Sequence, residues 1–387
     1  MLHALNDLGD LHVCVLVDNP GHDEMLAAAS AVLPTAHVVE VPVVERPRRR
    51  LSTLGARWWP LRDPLGHIDF PAIRSSMRAA VGEDRFDVVW AGAYQVLGAP
   101  FLGGWHASVR ILDFPVLIDV MQRRRAAVGS HHRHLSALAW RYVQATEAHA
   151  WHRVQKRACA EASLVTVCSD VDRELLDARG QVMVVPNGYE IPREPVGFSE
   201  AAGPATLLFQ GTMSYFANSD AAAYFARDVF PLVRQRIPDA QFRIVGKAGA
   251  AVQQLAGIEG VVVVGAVKRM EDELEKAHAV VVPLLVGSGT RLKILEAWAH
   301  GIPVVSTTVG AEGLPVSQGD NVLLADSTAA IAEACIRVLT DEGLRTRLAD
   351  AGRRTVEANF DWADIEADFL AAVRSQLQAQ RIPEDRP

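Results

Sequence analysis

Short unbroken runs of Val, Ile and Leu recur along the chain, and between them apolar residues return every three or four positions. The first pattern is that of strands buried on both faces, the second that of helices packed along one stripe; their alternation predicts parallel βαβ units. In the first half, strands are expected at 11–17, 37–41, 86–90, 109–112, 164–167 and 182–185, with a long helix from about His134 to Ala162. The stretch 191–204, IPREPVGFSEAAGP, has three prolines, two glycines and little periodicity, and reads as a linker. Behind it, strands restart at 206–209, 241–245, 261–264, 279–282, 303–306 and 321–324. The expected fold class is α/β, with two Rossmann-like doubly wound domains facing across a cleft. Residues 1–192 form the first and 205–365 the second, joined by a linker at 193–204; a helix and tail at 366–387 pack back on the first domain, with the last ten residues frayed.

Composition narrows the class without altering this layout. At 49% hydrophobic and 22% charged, the 387 residues have an ordinary globular balance. No apolar run approaches the ~20 residues of a membrane span. A formal charge of −7 argues against nucleic acid as a partner. Cys14, Cys159, Cys168 and Cys335 are scattered without a CxxC pair, as reduced core residues of a cytoplasmic protein would be. The opening MLHALNDLGD is helical in pattern where an α/β domain usually begins on a strand. The first strand is therefore missing or truncated, or the true start lies upstream of Met1.

Arginine is concentrated in two places. Six lie between Arg46 and Arg62, beside Trp58 and Trp59, and residues 122–133 are also basic. A solvated loop is the plain expectation. The functional one is contact with an anionic acceptor or with an acidic membrane surface, which would place the protein at the inner membrane face. His131, His132 and His134 lack a second ligand type at metal spacing. Asp18 and Asn19 read as a turn after the first strand.

The densest chemistry lies in 282–305, VPLLVGSGTRLKILEAWAHGIPVV. An apolar strand gives way to the turn Gly287–Ser288–Gly289, and a helix is expected from near Thr290 to His300, stopped by Gly301 and Pro303. Glycines admit close approach of a ligand, and the unpaired N–H groups of a helix start favour phosphate. Arg291 and Lys293 add positive charge in the first turn, unfavourable to the helix dipole unless an anion lies between. Glu296, on an otherwise apolar segment, either accepts sugar hydroxyl hydrogen bonds or is a capped structural charge.

Four segments in order, VPNGYE (185–190), FQGTMSYFANSDAA (209–222), GSGTRLKILEAWAHGIPVV (287–305) and VGAEGLP with GDNVLLAD (309–326), resemble the retaining nucleotide-sugar glycosyltransferases of family 4. The resemblance covers roughly residues 160–365 and implies the GT-B fold, with an acceptor-binding first domain and a donor-binding second one. It implies that Glu296 bonds the ribose hydroxyls, and that the backbone at Thr290 and Arg291, with Ile294 and Leu295, lines the diphosphate and ribose. Gly211 and Thr212 would lie beneath the sugar-diphosphate, Gly246 close to the nucleotide, and Ala266 and Val267 beside the base.

Two departures stand out. Ser288, before Gly289, occupies the place of the first glutamate of the family's E-x7-E, and the loop after 206–209 lacks the usual Arg and Lys. Arg291 and Lys293 are then expected to neutralise the phosphates, as in the subgroup with GGGTRLKILEAM. Asp113 ends its strand at the cleft edge, either as a polar group near the sugar or as a turn cap. The implied reaction transfers a sugar from a UDP, GDP or dTDP donor to a glycan, lipid-linked or small-molecule acceptor, with retention and without metal or other cofactor. A nucleotide-sugar 2-epimerase of the same fold and a degenerate nucleotide-sugar binder are the alternatives.

Overall fold

A computed structural model of the protein describes residues 5, 8–17, 36–42, 64–65, 68–82, 85–92, 105–128, 137–176, 178, 181–198 and 203–381. The whole arginine-rich segment between Arg46 and Arg62, together with Asp18, Asn19 and the histidines at 131, 132 and 134, lies outside the described residues. The chain divides into two compact units, Met1–Val185 with Ala363–Pro387, and Pro186–Trp362.

In the first unit, β1 (His12–Val17) pairs in parallel with β2 (His37–Pro42). Helix α1 (Phe70–Val81) starts at Asp69, whose carboxylate accepts the Ala72 N–H, and has Pro71 in its first turn, where a missing N–H costs nothing. A second parallel sheet then runs in the order β3-β4-β5-β6: β3 (Arg85–Ala91), β4 (His106–Phe114), β5 (Leu164–Val167) and β6 (Gln181–Val184). Between β4 and β5 lie α2 (Ile118–Val128) and the long α3 (Ala137–Glu161). Asp119, buried at the start of α2, joins them: it accepts from Gln155 Nε2 at 2.8 Å, pairs with Arg123, and meets His152 Nδ1 at 3.1 Å. Gln155 Oε1 in turn accepts the Asp119 N–H at 3.2 Å. This saturated network is structural. Helix α4 (Asp170–Leu175) is capped by Ser169, whose hydroxyl accepts the Asp172 N–H and donates to the Asp172 carboxylate.

The second unit is a single six-stranded parallel sheet in the order β12-β11-β10-β7-β8-β9. Strand β7 (Thr206–Gln210) is wholly buried. It leads into α5 (Phe216–Tyr224), a π-helical turn at Phe225–Val229, and α6 (Phe230–Arg236). Pro231 cannot donate to the preceding turn, which accounts for the shift in hydrogen-bond register just before it. There follow β8 (Gln241–Val245), α7 (Ala250–Gln253), β9 (Val261–Gly265), α8 (Glu271–Leu274) and β10 (Ala279–Val282). Helix α9 (Leu292–Ala299) then leads to β11 (Val304–Ser306), β12 (Leu323–Leu324), α10 (Thr328–Thr340), α11 (Glu342–Asn359) and α12 (Trp362–Arg381). Strands β8 and β9 extend the sheet on one side of β7 and β10 to β12 on the other, so the topological switch lies between β7 and β10. In such sheets the crevice at the carboxyl ends of the switch strands is where ligands bind.

Packing locks α9 in place. Trp298 is fully buried, donates its indole N–H to the Asn321 carbonyl at 3.0 Å, and lies so close to Gly352 on α11 that any Cβ there would overlap the ring. Burial of this one side chain contributes roughly 3 kcal/mol. The stretch expected as a linker is fixed to the second unit. Arg353 donates to the Pro192 carbonyl at 2.7 Å, Gly197 N–H to the His300 carbonyl at 2.9 Å, and the Arg345 guanidinium lies 5.6 Å from the Phe198 ring. The C-terminal helix continues to Arg381, beyond where fraying was expected. All four cysteines are free. Among the described residues no helix is long and apolar enough to cross a membrane.

Candidate functional site

Three strand ends build the floor of the site. Gly211 N–H bonds the Val245 carbonyl at 3.0 Å, and Gly246 N–H bonds the Gly265 carbonyl at 2.7 Å. Gly246 has φ +131, and a Cβ on it would overlap the Gly211 carbonyl oxygen; Gly211, at φ +148, would place a Cβ 2.9 Å from Asn218 Nδ2 and 3.2 Å from Lys293 Nζ. Side chains are thus excluded from the two places where β7 and β8 end, leaving bare backbone beside an amine. Ala266 and Val267 continue from β9 on the same edge, Ala266 exposed.

Across the switch, the loop after β10 carries Ser288, Gly289 and Thr290 into α9, which starts at Leu292, slightly later than expected. Arg291 is 7% exposed and folds back: its guanidinium donates to the carbonyls of Ser288 and Gly289, both at 2.6 Å, and of Val309 at 3.2 Å. It holds the Gly-Ser-Gly turn against the segment after β11. Ile294 and Leu295 are wholly buried in the core, so only their backbone can face a ligand. Lys293, Glu296 and His300 recur at helical spacing on the opposite face.

Lys293 Nζ donates to Asn218 Oδ1 at 2.7 Å and sits 4.4 Å from the Phe209 ring centroid; Asn218 Nδ2 donates to the Thr212 carbonyl at 3.0 Å. Burial pushes the amine down to about 7, the nearby Arg291 cation adds to this, and Glu296 opposes it. One turn on, each oxygen of Glu296 has a donor: Tyr189 Oη at 3.3 Å on one, Gln210 Nε2 at 3.3 Å on the other. Gln210 Nε2 also donates to the Lys293 carbonyl at 3.1 Å. Burial raises the Glu296 carboxyl, and the Gln210 and Tyr189 hydrogen bonds hold it back. Tyr189 is pushed upward by its own burial and by the Glu296 charge.

The structure therefore brings Gly211, Thr212, Gly246, Ser288, Gly289, Thr290, Arg291, Lys293 and Glu296 to one switch point of one sheet. Asn218, Gln210 and Tyr189 belong to it as well. Reading by residue missed them, although each lies inside a segment that carried the resemblance; Gln210, a polar residue closing the apolar run Leu207–Leu208–Phe209, was the most visible signal. Asp113 belongs to the other unit, at the end of β4, where its carboxylate accepts from Thr166 Oγ1 at 2.6 Å on β5. Burial lifts it to about 6, against the pull of that hydrogen bond. Among the described residues no group of three or more His, Cys, Asp and Glu side chains is placed to hold a metal.

Replacing Tyr189 with phenylalanine removes one of the two donors that orient Glu296 while keeping the ring. About a threefold to tenfold weaker nucleotide affinity is expected in calorimetric titration, with little change in melting temperature.

Residues 204–341 match the family model described as Glycosyl transferases group 1. The chain is 26% identical to the glycogen synthase of Mycobacterium tuberculosis over 344 residues, 82% of this chain and 77% of that one. Sucrose-phosphate synthase from Thermosynechococcus elongatus superposes with a TM-score of 0.64 at 18% identity, over 95% of this chain and 100% of that one. HepE from Anabaena, solved with UDP and glucose, superposes with a TM-score of 0.63 at 14% identity, over 95% and 99%. Two units with parallel sheets and these likenesses show the GT-B fold. The likeness to the glycosyl transferases group 1 lies in residues 204–341, within the second unit.

Proposed function

We propose that the protein transfers a sugar from a nucleoside-diphosphate sugar to an acceptor hydroxyl with retention of anomeric configuration and without a metal ion. The observation that carries this is the Lys293 amine, held by Asn218 beside the bare backbone of Gly211 at the switch point of the sheet. An amine there opposes the charge that develops on a departing phosphate, and fixed groups in a dry site do so without reorganising. Glu296, a turn away and steadied by Tyr189 and Gln210, suits the ribose hydroxyls. The acceptor attacks on the face the diphosphate leaves, and a phosphate oxygen takes the proton, so no dedicated base is required. Asp113, in the other unit, is the candidate for holding a donor or acceptor hydroxyl. HepE was solved with UDP and glucose, which makes UDP the first nucleotide to try.

The test is incubation with UDP-, GDP- and dTDP-sugars, with and without EDTA, reading nucleotide release and product configuration by NMR. Turnover that survives EDTA and yields the retained anomer is expected. An inverted product would refute retention, an isomerised sugar would indicate the epimerase, and binding without turnover would indicate a degenerate binder.

A further inference from the structure

Resting on the donor-site reading above, a second cation for the diphosphate has to be found. A nucleoside diphosphate carries more negative charge than one lysine opposes, and Arg291, the other basic residue at the helix start, already serves three backbone carbonyls. The loop leaving β7, Thr212–Met213–Ser214–Tyr215, has no basic residue at all.

We propose that Lys247, the residue following the Gly246 strand end, is that second cation and reaches the phosphate that lies over Gly211. Three observations place it. Because Gly246 leaves no room for a Cβ against the Gly211 carbonyl, the chain at the end of β8 passes directly alongside the end of β7. The Lys247 carbonyl accepts the Met213 N–H at 3.1 Å, which ties its Cα to the loop that follows Gly211. And its side chain is exposed, with no hydrogen bond or ion pair among the described residues, so no carboxylate competes for it. Gly211 is therefore flanked by two lysines of opposite character. Lys293 is enclosed and fixed by Asn218; Lys247 is on a flexible stem in water, suited to closing on an anion from the open side. A cation recruited from the neighbouring strand offsets the one missing from the β7 loop.

UDP, GDP and dTDP are titrated into the wild-type protein, and the one that binds is carried forward with its parent nucleoside. In Lys247→Met, the diphosphate should bind about five- to tenfold more weakly while the nucleoside changes by less than about twofold. Lys247→Arg should restore most of the loss. Lys268→Met, which removes an exposed lysine after the adjacent β9, serves as the control for general surface charge and should have less than half the logarithmic effect. An unchanged diphosphate affinity in Lys247→Met, equal losses in the nucleoside, or equal losses in Lys268→Met would each overturn the assignment while leaving the donor site intact. Failure of the wild type to bind any of the three diphosphates would instead remove the donor-site reading, and this inference with it.

Discussion

Lys293→Met is expected to lower sugar transfer at least about 100-fold and, at the same time, to make the protein more stable. The first effect follows from removing a charge opposite the leaving phosphate, a loss of the size seen when one transition-state donor is deleted. The second follows from what the amine costs when no ligand is bound. In the folded chain burial brings it down to about 7, whereas in the unfolded chain it keeps its ordinary value near 10.5. Between those values the unfolded chain holds a proton that the folded site releases, so wild-type stability should rise with pH across that window. Below it the folded site must accept the proton unfavourably, and methionine removes this cost, a gain on the order of a few kcal/mol at neutral pH. Denaturant titrations at pH 6.5 and 9.5 test it: the wild type should gain on the variant as pH rises. A constant gap would mean that the amine is not held down by burial.

Nucleotide binding should show the same group with the opposite slope. A phosphate beside Lys293 favours the protonated amine, so affinity should fall as pH climbs above about 7, by up to about tenfold per unit until the complex itself begins to lose the proton. Calorimetry in buffers of different ionisation enthalpy should register proton uptake in the wild type and none in Lys293→Met. The site is thus tuned for the bound state at the expense of the free one, as strained and buried charges at functional positions often are.

What could be read beforehand divides along the range of the interactions. Strand β10 was legible as a continuous aliphatic run, β5, β7 and β8 as short runs dominated by Val, Leu, Ile and Phe, and α9 because its apolar stripe, glycines and stopping Pro303 lie within a few residues of one another. Charges at its start were legible as residues, though their directions were not. Whether Arg291 faces a phosphate or the carbonyls of its own loop depends on how Val309, 18 positions on, returns to the turn. Asn218 lies 75 positions from the lysine it fixes, and Tyr189 is 107 positions from Glu296. Separations of that kind leave no periodic trace. The same holds for the supposed linker, whose prolines and glycines signalled irregular backbone correctly but carried no sign of the two arginines, Arg345 and Arg353, that pin it. In the first unit, Asp119 shares its helix with Arg123, Arg124 and Arg125, and only its meeting with α3 makes it a buried network.

Glu296→Ala should weaken donor binding by about 10- to 100-fold, and the form of the loss identifies its cause. Two contributions are joined in that number: the hydrogen bonds a ribose would lose, and the Tyr189 hydroxyl left without its carboxylate acceptor and the Gln210 amide with only the Lys293 carbonyl, in partly buried surroundings. They separate when the nucleoside diphosphate is compared with its 2′,3′-dideoxy analogue. If the carboxylate accepts from the ribose, the wild type should prefer the natural nucleotide by about tenfold or more, and Glu296→Ala should treat the two almost alike, because the group that told them apart is gone. Disorder of Tyr189 and Gln210 alone would weaken both nucleotides equally and preserve the preference. Glu296→Gln refines the point: it keeps an acceptor oxygen for one of the two neighbours, so stability should return nearer to wild type, while a neutral acceptor regains only part of the ribose preference. A variant that keeps both affinity and preference would leave Glu296 as a structural carboxylate. The nucleotide would then be held by the glycine floor and its lysines alone.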